Sequence, residues 1–121
     1  MKARGSESID DADMRAVLEF WLLQTGPEKW FSRDDALDVE IRVKFLALHK
    51  RAVAGELAHW RGTPQGCLGE IILLDQFSRN LFRDDKQAFA QDYKARLITN
   101  EAVDRGYLED INLDQKHFML L

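Results

Sequence analysis

Apolar residues recur along this chain at steps of three and four, the period that lines one face of an α-helix. Over 9–23 they fall at Met14, Val17, Leu18, Trp21 and Leu22, behind an acidic start that suits a helix N-terminus; Gly26-Pro27 ends the run. A second stripe comprises Leu37, Ile41, Phe45, Leu48 and Ala52. Ser32 and Asp35 precede it with capping-box spacing, and Gly55 follows as a C-terminal cap. Thr63-Pro64 predicts a third start, a hydroxyl N-cap followed by proline at the first helical position. That helix is expected to run to about Asn80 and is apolar on nearly all sides at Leu68, Ile71, Ile72, Leu73, Leu74 and Phe77, the mark of a central helix. Asp84 and Asp85 are expected to open a fourth helix, closed by Gly106, with a stripe of Ala88, Tyr93, Ala95, Leu97, Ile98 and Ala102. "NLDQKHFMLL" begins a fifth helix or turn and ends on residues with no polar side chain.

No period-two run or Asn-Gly or Asp-Gly hairpin turn competes with this pattern. Short connectors favour antiparallel neighbours, so the expectation is an all-α domain of about five helices in antiparallel hairpins. "RAVAGEL" and "EAVDRGYL" give a faint internal echo, about fifty residues apart, of the kind a helical-hairpin solenoid produces. Residues 1–8 are expected to be disordered and 9–121 to form the single helical domain.

Composition narrows the function classes. Hydrophobic residues are 45% and charged residues 31% of the 121, the balance of a soluble globular protein. The 17 basic residues are dispersed among 21 acidic ones, for a formal charge of −4, so nucleic acid is not an expected partner. The longest apolar run, "CLGEIILL", is broken by Glu70 and too short to span a bilayer. A cytoplasmic location is expected, which the lone Cys67 suits. Cys67 itself reads as a small buried hydrophobe.

Chemistry concentrates in "LLDQFSRNLFRDD". On a helix Asp75 and Arg79 are i and i+4, as are Gln76 and Asn80, with Arg83 one step further. In one reading Asp75 pairs with Arg79 in a partly buried polar network, and Gln76 and Asn80 cap backbone groups at the helix end. In another, Arg79 and Arg83 form a fork for an anionic ligand. A third has Asp75 act as acid or base with Asp92 or Glu70. His49, His59 and His117 show no metal-ligand spacing, and no cofactor or metal is expected. His49 reads as a surface or boundary residue. Trp21, Trp30 and Trp60 read as aromatic staples at helix ends, with a ligand-stacking wall as the alternative.

The segments "VLEFW", "PEKWF", "GELAHW", "LGEIILLDQFSRNLFRDDKQAFAQD" and "HFMLL" resemble, in that order, the bacterial family known as domain of unknown function 924, across roughly residues 17 to 121. The resemblance implies an all-α fold similar to tetratricopeptide repeats and no particular activity. It places Asp75, Gln76, Arg79, Asn80, Arg83, Phe89 and Asp92 on the family signature, and Trp60 on its upstream tryptophan. Gly69 stands where the family more often has alanine. The family usually continues into a histidine-serine-glutamate stretch and further helix, so this chain reads as a short member or a truncated one.

Together these point to a protein- or ligand-interaction module whose candidate polar cluster is Asp75, Gln76, Arg79, Asn80, Arg83, Asp92 and Trp60. A homodimer formed through the apolar C-terminal end is expected. The alternative is a small-molecule hydrolase acting on an anionic substrate through the same cluster.

Overall fold

The computed structural model describes residues 9–120, and all of their regular structure is helical. The segment 1–8, expected to be disordered, lies outside the described residues. Helix α1 (Ile9–Leu18) continues as a π-helical segment over Glu19–Thr25, and Gly26 ends it at φ 75°. Helix α2 spans Asp35–Val53. Helix α3 (Pro64–Ile71) passes without a break through a π-helical turn, Ile72–Gln76, into α4 (Phe77–Leu81). Helix α5 (Asp92–Asp104) and helix α6 (Leu113–Leu120) follow. Counting α3 and α4 as one rod, the described chain is a five-helix all-α fold, as the periodicity predicts.

The rod α3–α4 is the axis of the fold. Residues from Gly66 to Leu74 along it are buried, and α1, α5 and α6 pack on α3 while α2 packs on α4. Leu37, Ile41, Phe45, Leu48 and Ala52 all face the core, so the stripe read from sequence is the buried face of α2. Phe20, Phe45 and Phe77 meet edge-on or tilted at 5.0 to 6.2 Å, and Trp21 contacts both Phe77 and Phe118. Phe118 and Met119 are thus already inside the core, and of the apolar end the exposed described residue is Leu120. Trp30 donates its indole N–H to the Trp21 carbonyl at 2.7 Å, tying the 26–34 connector to the end of the first helix.

Local chemistry sets most of the boundaries. The Thr63 hydroxyl accepts from the Gly66 N–H at 3.0 Å, with Pro64 behind it, as expected. Gly55 (φ 83°) follows α2, where Gly55 N–H and Glu56 N–H bond the carbonyls of Ala52 and Arg51. Asn112 and Gln115 cap α6 reciprocally, each side chain accepting from the other's backbone N–H at 2.9 to 3.0 Å.

Three expectations are corrected. The cap of α2 is Asp34, whose carboxylate accepts from the Leu37 N–H at 3.0 Å, in place of Ser32. The fourth helix begins at Asp92: Asp85 caps only a 3₁₀ turn, Lys86–Phe89, which breaks at Ala90-Gln91 before α5 starts. Tyr93 and Leu97 are exposed, because the face of α5 that packs inward is Ala95, Ile98 and Ala102.

Candidate functional site

The π-helical turn sets the geometry of the polar cluster. Across Ile72–Gln76 the Phe77 N–H reaches back five residues to the Ile72 carbonyl. The Leu74 carbonyl receives the Ser78 hydroxyl at 2.6 Å. Ser78 in turn meets His49 Nε2 at 2.8 Å, and His49 is 4% exposed, so it is a core residue and not the surface histidine expected. Burial holds its imidazole below the usual histidine range.

Asp75 and Arg79 form the predicted i,i+4 pair at 2.7 Å, with the Arg79 side chain also donating to the Asp75 carbonyl. The same guanidinium makes two hydrogen bonds to Asp92 at the start of α5, at 2.9 and 3.0 Å, and lies 5.0 Å over the Phe89 ring. Arg79 therefore clamps the rod to α5. Burial raises the Asp75 carboxyl above the ordinary aspartate range, with the neighbouring Asp92 carboxylate adding to the rise and Arg79 and Gln76 opposing it.

Arg83 turns the other way, to Asp38 in the first turn of α2, which it holds with Nε and Nη2 at 2.5 and 2.9 Å. Asn80 donates to the same carboxylate at 2.9 Å. Burial alone would raise Asp38, but these hydrogen bonds outweigh it and hold the carboxyl below its usual range. Gln76 and Asn80 therefore donate to Asp75 and Asp38 and do not cap backbone groups; Asp75 is the neighbour of Gln76, and the packing of α2 on α4 brings Asp38 to Asn80.

A cavity of about 690 Å³ opens between the rod, α5 and α6. Asp75, Arg79, Asp92, Arg96, Thr99 and Asn100 form its polar wall, while Ile71, Phe118 and Met119 form its apolar one. A smaller cavity of about 310 Å³ carries Gln76, Asn80 and Arg83 together with Trp30 and Phe31. Arg79 lines both. Trp60 stands apart from the cluster: it is buried near Met14 and Gly69, on another side of α3. Glu70 is also elsewhere, fully buried and held by Arg61 through two hydrogen bonds of 2.8 and 2.9 Å, so it is no acid/base partner of Asp75.

Residues 17–121 match the family described as bacterial protein of unknown function (DUF924). The chain belongs to the DUF924 family. It is also similar to the solved structure of the protein of unknown function ATU0120 from Agrobacterium tumefaciens, with 34% identity and a TM-score of 0.85. That likeness covers 89% of this chain and 61% of the other, so the DUF924 chain spans less than two thirds of the length of its solved relative. No curated protein matched it.

Sequence reasoning singled out six residues that the DUF924 fold gathers at the end of one rod: Asp75, Gln76, Arg79, Asn80, Arg83 and Asp92. It missed Asp38 and Arg96, which lie on other helices. Asp38 carried a weak signal, an acid four residues after the Asp34 cap. Arg96 carried one too, i+4 from Asp92. Among the described residues no group of three or more histidine, cysteine, aspartate or glutamate side chains could hold a metal ion, and no helix is long and apolar enough to cross a membrane.

Proposed function

We propose that this DUF924 chain is an interaction module in which the polar cluster is the frame and an apolar face is the contact. One observation carries the reading: Arg79 and Arg83 are each held by a carboxylate from a neighbouring helix, Asp92 and Asp38, so neither guanidinium is left as a free anion clamp. The contact face centres on Phe31, Leu113 and Leu120, which are 63%, 82% and 56% exposed. Beside them a cavity of about 820 Å³ is walled by Pro27, Trp30 and His117. Exposed apolar residues gathered around a concavity suit a partner surface, and a second copy of the chain is the partner proposed here. A cytoplasmic setting and tetratricopeptide-repeat-like stacking of the helices belong to the same reading. Light scattering tests it. A dimer is expected at micromolar concentration, and Leu113→Lys with Leu120→Lys should give a monomer of unchanged helicity. A wild-type monomer would sink the homodimer.

A second reading rests on a different observation, the raised Asp75 carboxyl beside Asp92 on the wall of the 690 Å³ cavity. It makes Asp75 an acid/base group of a small-molecule hydrolase. Its test is hydrolysis of simple phosphate and carboxylate esters. Turnover lost in Asp75→Asn at unchanged melting temperature supports it, and no turnover by the wild type removes it.

A further inference from the structure

Between α2 and the turns before α5 lies a cavity of about 420 Å³ that neither reading uses. One face of α2 supplies most of its wall, through Arg42, Leu46, His49, Lys50 and Val53 at helical spacing. Phe82 closes it from the end of the rod, and Gln87 and Gln91 from the turns before α5. The lining contains no carboxylate. Elsewhere in the chain Arg33, Lys44, Arg61, Arg79, Arg83 and Arg105 are each ion-paired.

Arg42 and Lys50 have no ion-pair partner among the described residues. Arg42 is oriented instead by one hydrogen bond, from Nη2 to the Leu81 carbonyl at 2.7 Å, which leaves its other N–H groups unassigned at the rim. His49 forms the inner wall. Ser78 spends its single hydroxyl proton on the Leu74 carbonyl, so the network assigns the His49 proton to Nε2, pointing at Ser78. His49 Nδ1 is then an acceptor without a partner among the described residues, on a side chain that lines the cavity. Leu46, Val53 and the Phe82 ring, 5.6 Å from the imidazole, supply apolar surface between rim and wall.

We propose that this cavity is a binding site for a small organic anion: an apolar, ring-sized body with a carboxylate or phosphate for Arg42 and Lys50 and a hydroxyl or N–H for His49 Nδ1. Two unpaired cations at the rim favour an anion, and a guanidinium fork suits either oxyanion. An apolar middle with few convergent polar groups is the usual make-up of a small-molecule site. The site is independent of the contact face at Leu113 and of the Asp75 cluster.

Nuclear magnetic resonance titration of the ¹⁵N-labelled chain tests it, with 3-hydroxybenzoate, phenyl phosphate and the neutral 3-hydroxybenzyl alcohol as probes. Saturable shifts are expected at Arg42, His49, Lys50, Gln87 and Gln91 with at least one anionic probe, and not with the alcohol. The tighter of the two anions names the oxyanion. Arg42→Gln and, separately, the surface change Lys50→Gln should each weaken binding by roughly ten-fold, the worth of a charge-assisted hydrogen bond. Lys50→Gln keeps the test open if loss of the Leu81 contact disturbs the fold in Arg42→Gln. No shift with either anion, equal binding of the alcohol, or unchanged affinity in Lys50→Gln overturns the proposal.

Discussion

Asp38 and Arg83 stand 45 residues apart in the chain, yet two hydrogen bonds join their side chains, fixing the start of α2 to the chain just past the end of α4. Asp38 is 15% exposed and also takes Asn80, so asparagine there removes the charge that Arg83 pairs with and sets an NH2 donor against one of the donors now bonded to the carboxylate. We expect Asp38→Asn to cost about 2–3 kcal/mol in urea denaturation, the lower part of the range for breaking a buried pair because Arg83 keeps some access to water.

Asp75→Asn should behave differently. Arg79 keeps both hydrogen bonds to Asp92, and burial already disfavours the Asp75 charge. A change within about 1 kcal/mol is expected in the same denaturation experiment. A loss as large as that of Asp38→Asn would show that Asp75, not Asp92, is the principal partner of Arg79.

Three shifted groups packed on the rod shape the acid limb of the stability curve, beside the exposed Asp34, which its cap hydrogen bond to Leu37 also holds below its ordinary value. His49 is held below its ordinary value of 6.5, so the unfolded chain takes up the proton first and stability falls as pH drops below 6.5. Asp38, held below 3.8, contributes stability that is lost as pH falls through 3.8 toward its folded value. Asp75 is raised, so the folded chain binds its proton more tightly and gains stability as pH falls through the window just above 3.8. Urea midpoints from pH 3 to 8 should therefore show a shallower acid decline in Asp38→Asn and a steeper one in Asp75→Asn.

Two glycines of α3 should respond oppositely to alanine. A Cβ at Gly66 would lie 1.8 Å from the Trp60 carbonyl oxygen, a backbone atom that accepts from the Thr63 N–H. At Gly69 it would meet only side-chain atoms, Met14 Cγ and Trp60 Cζ3, each at 3.3 Å. Gly66→Ala is expected to lower the melting temperature sharply. Gly69→Ala should be neutral or slightly stabilising, since a helix gain of about 1 kcal/mol offsets the small displacement asked of the Met14 side chain and the Trp60 ring.

Cys67 is buried beside the Arg61 carbonyl, and burial pushes its thiol up to about 11. At pH 8 it should react with an aromatic disulfide reagent on the order of 100-fold more slowly in the native protein than in urea, because the thiolate is scarce and covered. Equal rates would mean that α3 opens readily.

What could be read from sequence was what neighbouring residues decide. The α2 stripe, the Thr63-Pro64 start and the glycine after α2 each depend on residues within a turn or two of one another. The Asp75–Arg79 pair was legible for the same reason, whereas Asp92, a candidate partner of Asp75 in sequence, proves to be held by Arg79 across two helices. Asp38 was not legible as a partner of Arg83, since it is one of several acids at the start of α2 and only the packing of α2 on α4 selects it. His49 looked like a boundary residue because its partner Ser78 lies 29 positions away on another helix. The break before Asp92 escaped notice because 3₁₀ and α turns share nearly the same apolar spacing.

The wide turn at Ile72–Gln76 has a consequence for how this stretch can change over time. It holds one residue more than an α-turn, which rotates everything after it by about 100° around the axis. Ser78 against His49, Arg79 against Asp92 and Asn80 against Asp38 all depend on that phase. Deleting a single residue there would leave composition and helicity almost untouched and misdirect all three. The segment can accept a change of letter far more readily than a change of length.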